Sequence, residues 1–76
     1  MSKLPIISSK QALKAFEKLG YAQVRQRGSH VRLIHATNPR LHKPLSIPLH
    51  PTLGPGLLRK CIRDANISVE DFTKLL

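Results

Sequence analysis

The apolar residues of this chain change from helical to alternating period at Gly20, and that change limits the folds open to it. Before Gly20, Ala12, Leu13, Phe16 and Leu19 recur at helical spacing. Ser8 with Gln11 three positions on has the form of a capping box, and Lys10, Lys14 and Lys18 fall on the opposite face. After Gly20 the period is two. Tyr21 to Arg27 and His30 to His35 read as strands joined through Gly28-Ser29, a small-residue turn suited to a hairpin, with His30 opening the second strand. A polar loop holding Asn38-Pro39 leads to the alternation Leu45, Ile47, Leu49. Pro44 and Pro48 cannot donate to a ladder, so this third strand belongs at the rim of the sheet.

Helical spacing returns beyond the turn-rich stretch from Pro51 to Gly56. Leu57, Leu58, Cys61, Ile62 and Ala65 form an apolar stripe with Arg59, Lys60 and Arg63 outside it, Pro55 near the start and Asn66 near the end. Ser68, followed by Asp71, can cap a last short helix that buries Val69, Phe72 and Leu75, with Leu76 an optional fourth. The order predicts an α+β fold: helix, three-stranded antiparallel meander, helix and a short C-terminal helix. The helices cover one face of the sheet and leave the other open for a ligand. A chain of 76 residues buries only about 60% of its unfolded surface, so residues 1–76 are expected to form a single domain with one thin core. No repeat, low-complexity tract or linker interrupts it.

Charge then narrows the function. Thirteen Lys and Arg against four Asp and Glu leave a formal charge of +9, which calls for a polyanion. Two Phe and one Tyr make a poor stacking platform, so the partner is expected to be gripped by its backbone rather than its bases. The cations crowd one imidazole: Arg25 and Arg27 precede Gly28-Ser29-His30, and Arg32 follows. Guanidinium groups take phosphate bidentately, and histidine both accepts and gives a proton near neutral pH. That pairing points to RNA cleavage with His30 as base and Arg25, Arg27 or Arg32 holding the phosphate. The plainer alternative makes His30 a strand residue with a structural hydrogen bond.

Arg59, Lys60 and Arg63 are either a solvated helix face or further RNA contacts. With Glu17, Asp64, Glu70 and Asp71 the only acids, few of the cations can be paired internally, which favours RNA. His35, His42 and His50 raise a metal site, but no pair has the i, i+4 spacing of a zinc helix and no thiolate accompanies them. No metal or other cofactor is therefore expected. His50, at the end of the third strand beside two prolines, is carried as an RNA contact with a structural role as its rival. Cys61 lies among Leu57, Leu58 and Ile62, where a thiol serves as a small buried hydrophobe; it has no internal disulfide partner, which implies a reducing, cytoplasmic setting. Met1 to Lys10 is too short an apolar stretch for a signal peptide or a membrane span.

Leu19-Gly20-Tyr21 followed by Arg25-Gln26-Arg27-Gly28-Ser29-His30 resembles, in content and spacing, the Gly-aromatic, Arg-Gln-x-Gly-Ser-His signature of HicA-type toxins, the messenger-RNA interferases of HicAB toxin–antitoxin pairs. Ile47-Pro48-Leu49-His50 is similar to that family's Pro-x-His strand end, and the Leu57 to Leu76 tail carries its Ile-Ser-x-Glu-Asp-Phe core. The resemblance covers nearly the whole chain. It implies a fold like a double-stranded-RNA-binding domain, His30 as the catalytic histidine, and neutralisation by a HicB-type antitoxin. Two departures stand out. Gly54-Pro55-Gly56-Leu57 replaces the usual Gly-Thr-Leu, removing a hydroxyl from the helix start, and Asn66 replaces a common Gly.

The resulting expectation is the toxin of a type II toxin–antitoxin system, a metal-independent endoribonuclease that cuts mRNA and so inhibits translation and growth. His30 is its catalytic residue, and Arg25, Arg27, Gly28, Ser29, Arg32, His50, Arg59, Lys60 and Arg63 bind RNA. The rivals are a non-catalytic RNA-binding module on the same basic face and a domain whose main partner is an acidic protein. Tyr21, Val24 and Leu33 would supply an apolar centre for an antitoxin wherever they face outward. The oligomeric state stays open.

Overall fold

The computed structural model describes residues 4–76; the first three positions of the Met1 to Lys10 stretch lie outside the described residues. The elements follow the order α1 (Ser9–Leu19), β1 (Tyr21–Arg27), β2 (His30–His35), β3 (Leu45–Pro48), α2 (Pro55–Asp64) and α3 (Val69–Lys74). The capping box closes α1 at its start: the Ser8 N–H donates to Gln11 Oε1 at 2.9 Å and the Gln11 N–H to Ser8 Oγ at 3.3 Å. Such a cap stabilises by about 1 kcal/mol. Gly20 ends the helix in a left-handed conformation, φ 118°, and turns the chain directly into β1.

The three strands form an antiparallel sheet in the order β1-β2-β3, so β3 with its prolines is an edge, as is β1. Val31 and Leu33 of β2 pair with Ile47 and Leu45 of β3, and all four are buried. Phe16 of α1, Leu58 and Ile62 of α2 and Phe72 of α3 join them in one hydrophobic cluster. Phe16 ties the layers together, lying 5.0 Å from the Phe72 ring and edge-on to Tyr21 at 5.8 Å. Every helix thus covers the same face of the sheet, and the α+β architecture stands.

Helix α2 begins at Gly54 without a side-chain cap, as the missing hydroxyl implies, and Pro55 occupies its first turn. Asn66 adopts φ 58° just past the end of α2. Ser68 Oγ accepts the Asp71 N–H at 3.0 Å and starts α3. Among the described residues no helix is long and apolar enough to cross a membrane.

Two details depart from the sequence reading, and two more resolve what it left open. Leu49 does not continue the buried alternation: the strand ends at Pro48, the Leu49 N–H swings to the Ser29 carbonyl at 2.6 Å, and its side chain is exposed. In α3 only Phe72 is fully buried, with Val69 and Leu75 half-buried and Leu76 exposed. Tyr21 and Leu33 face the core, which leaves Val24 alone as an outward apolar residue of the three considered for a partner. A β-bulge, not foreseen, interrupts β1 at Val24.

Candidate nucleic-acid interface

The bulge decides what the open face carries. Strict alternation from buried Tyr21 would send Gln23, Arg25 and Arg27 toward the helices together. Instead Gln23 pairs with Leu33 while Arg25 pairs with Arg32, so Val24 is an extra residue and the faces exchange beyond it. Arg25 and Arg27 then stand on the side away from the core, opposite Arg32 and His30 respectively. On β2 the alternation is regular: Val31 and Leu33 go in, His30 and Arg32 out. On β3, Ser46 lies opposite Arg32 and Pro48 opposite His30.

Directly opposed side chains begin about 5 Å apart, so these rows converge. Arg25, Arg27, His30, Arg32 and Ser46 line one shallow depression of about 330 Å³. No carboxylate lines it among the described residues. His30 is exposed, at the first position of β2, and is the sole imidazole there. Sequence reasoning missed Ser46, although the alternation Leu45-Ser46-Ile47 already placed it opposite the buried face.

The other expected residues fall into distinct places. Gly28 and Ser29 make the hairpin turn, with Gly28 at φ 61°, and act through the backbone: the Ser29 carbonyl holds the Leu49 N–H, tying the hairpin tip to the end of β3. His50 lines a different depression from His30, exposed beside Ser8, Ser9 and Lys10, where its carbonyl accepts the Ser9 N–H at 3.1 Å. Arg59 and Arg63, one turn apart on α2, line a hollow toward Ser68 and Val69 of α3. Lys60 turns the other way, into a groove beside β3 that it shares with Arg32. The structure therefore gathers Arg25, Arg27, His30 and Arg32 in one depression, whose lining does not include His50, Arg59 or Arg63.

The remaining histidines hold the frame. His35 is buried; its Nδ1 accepts the Asn38 N–H at 3.0 Å and its Nε2 donates to the Leu19 carbonyl at 2.9 Å. His42 stacks on it at 4.3 Å and bonds the Ala65 carbonyl through Nδ1 at 2.5 Å. Tyr21 packs edge-on to His35 and donates its hydroxyl to the Lys43 carbonyl at 2.7 Å. Burial, with the Asp64 charge adding, pushes that hydroxyl up to about 12, so it remains a donor. Among the described residues no three His, Cys, Asp or Glu side chains converge to hold a metal ion. Cys61 is buried, and burial first, then Asp64, raises its thiol to about 11, keeping it protonated and inert near neutral pH.

Chemically, the depression combines three fixed positive charges with one group able to carry a proton, on a rigid sheet and facing solvent. Searches of curated proteins and of solved structures give no match to the chain. A family model for the HicA toxin of bacterial toxin–antitoxin systems matches residues 9–67, from the first residue of α1 to just beyond α2, and spans the whole arginine and histidine face. That match covers most of the 76 residues and agrees with the Gly28-Ser29-His30 context, so the chain belongs to the HicA toxin family.

Proposed function

We propose that residues 1–76 form a single RNA-cleaving domain, a metal-independent endoribonuclease acting on mRNA, whose catalytic residue is His30. One observation carries the reading: His30 shares a carboxylate-free depression with Arg25, Arg27 and Arg32 on the open face of the sheet. The guanidinium groups seat a backbone phosphate and offset the charge that builds on its oxygens as phosphorus is attacked. His30 Nε2 or Nδ1 takes the proton from the neighbouring ribose 2′-hydroxyl, that oxygen bonds to phosphorus, and the bond to the 5′-oxygen breaks. As the sole imidazole in the depression, His30 then returns the proton to the leaving oxygen. The cycle is balanced in protons and closes without a metal.

In the cell this activity would cut messages in the cytoplasm and arrest growth until a HicB-type antitoxin covers the same face. Thirteen cations against four acids favour an acidic covering surface that finds the toxin quickly and fixes its register. A complex with the neighbouring gene's product that cleaves as fast as the free toxin would remove occlusion from this account.

The chemistry is tested with an RNA carrying ribose throughout and a matched strand with deoxyribose at the cut position, both in excess EDTA. Cleavage of the first and not the second is expected. Cleavage of both strands would remove the 2′-hydroxyl from the mechanism, and activity that vanishes in EDTA and returns with a divalent ion would make it metal-dependent. Tight RNA binding with no cleavage would favour the rival RNA-binding module.

A further inference from the structure

A second groove, of about 440 Å³, runs between β3 and α2, and its walls carry Arg32, Lys43, Ser46, Leu57, Lys60 and Asp64. Arg32 and Ser46 also line the His30 depression, so the two hollows adjoin along a shared wall, one on the sheet and the other beside the helix. Three cations face one carboxylate along this extension. Lys43 is held from both sides. Its N–H donates to the Asp64 carbonyl at 2.9 Å and its own carbonyl accepts the Tyr21 hydroxyl at 2.7 Å. Pro44 follows and restricts its backbone further. The connector between β2 and β3 is therefore rooted where Lys43 lines the groove with Lys60 of α2, which lowers the backbone ordering cost of presenting Lys43 to a ligand.

We propose that the groove between β3 and α2 is a second RNA-backbone subsite, in which Lys43 and Lys60 take the phosphate next to the one seated beside His30. The inference rests on the RNA-cleaving reading above. The wall shared with the His30 depression and the excess of cations assign the groove to the same polyanion rather than to a separate protein partner. Asp64, the one carboxylate there, weakens the subsite.

The test compares binding of fully 2′-O-methylated, uncleavable oligonucleotides of two and of six nucleotides to the whole protein, by fluorescence anisotropy across a salt series. Wild type should bind the longer strand more tightly and with a steeper salt slope. The K43A/K60A variant should lose about 0.7 from the slope on the longer strand, the contribution of one single-strand phosphate, and leave the dinucleotide unchanged. D64N should tighten the longer strand alone. Unchanged binding of the longer strand by either variant, or equal losses at both lengths, would overturn the proposal. So would a K43A/K60A protein that keeps RNA affinity but loses polyglutamate, since the groove would then serve an acidic protein. H30A runs as a parallel arm: if it still cleaves ordinary RNA, the catalytic reading fails while the length dependence remains a separate result.

Discussion

Gly20→Ala is the substitution whose cost the structure specifies most fully. Gly20 stands at φ 118°, a conformation L residues rarely adopt, and forcing one there costs about 1–3 kcal/mol. A Cβ built on it would also lie 2.6 Å from His35 Nε2, the atom that holds the Leu19 carbonyl at 2.9 Å. The ring must move and that buried bond breaks, at about 1–3 kcal/mol more. Together these reach about 2–6 kcal/mol, set against a total stability of about 4–11 kcal/mol for 76 residues. At about 4–8 °C per kcal/mol, the midpoint should fall by at least about 8 °C in a thermal melt followed by circular dichroism. Gly56→Ala is the matched control: it sits in the first turn of α2 with nothing within 4 Å of its would-be Cβ, and should stabilise by up to about 1 kcal/mol. A Gly20→Ala midpoint within about 4 °C of wild type would refute the account of how α1 hands over to β1.

Arg25→Ala with Arg27→Ala should lower the salt slope for uncleavable RNA by about 0.7 per phosphate lost, whereas Lys14→Ala with Lys18→Ala on the exposed side of α1 should change it less; an unchanged slope in the arginine pair would move the binding face elsewhere. The Cys61 thiol, raised from 9.0 to about 11 in the folded state, contributes stability that is complete below pH 9 and lost as the pH rises through about 11. The loss amounts to about 3 kcal/mol, and Cys61→Ala should postpone the onset of alkaline destabilisation toward pH 10, where Tyr21 begins to act. Coincident alkaline unfolding curves for the two proteins would show that Cys61 is not held protonated by the fold.

What could be read from sequence was set by short-range chemistry. The Ser8 and Gln11 cap, the Gly28-Ser29 turn, the Ser68 cap and the two apolar helix stripes each lie within a few residues of their partners, and each appears where expected. The bulge at Val24 could not be foreseen, because the apolar residues of β1 conflict: buried Tyr21 lies on one face while Ala22 and Val24 alternate on the other, and all beyond Tyr21 are exposed; β2, with Val31 and Leu33, sets the register instead. Leu49 was misplaced for a related reason, since its N–H is claimed by the Ser29 carbonyl from the hairpin tip.

Separation of Lys60 from Arg59 and Arg63 was available from helix geometry: residues four apart share a face and the intervening one does not. The position of Lys43 was not, because the Tyr21 hydroxyl and the Asp64 carbonyl that hold it come from distant parts of the chain.

The central claim is that His30 moves the proton, and cleavage of a long RNA by purified His30→Ala protein tests it most directly. His30 is exposed at the hairpin end and its side chain supports no core contact, so the variant should melt as wild type does. Its cleavage rate should fall by about 10²- to 10⁴-fold, the usual cost of losing a general acid–base group, with RNA affinity kept by the arginines. A folded His30→Ala protein that cleaves at the wild-type rate would contradict the account.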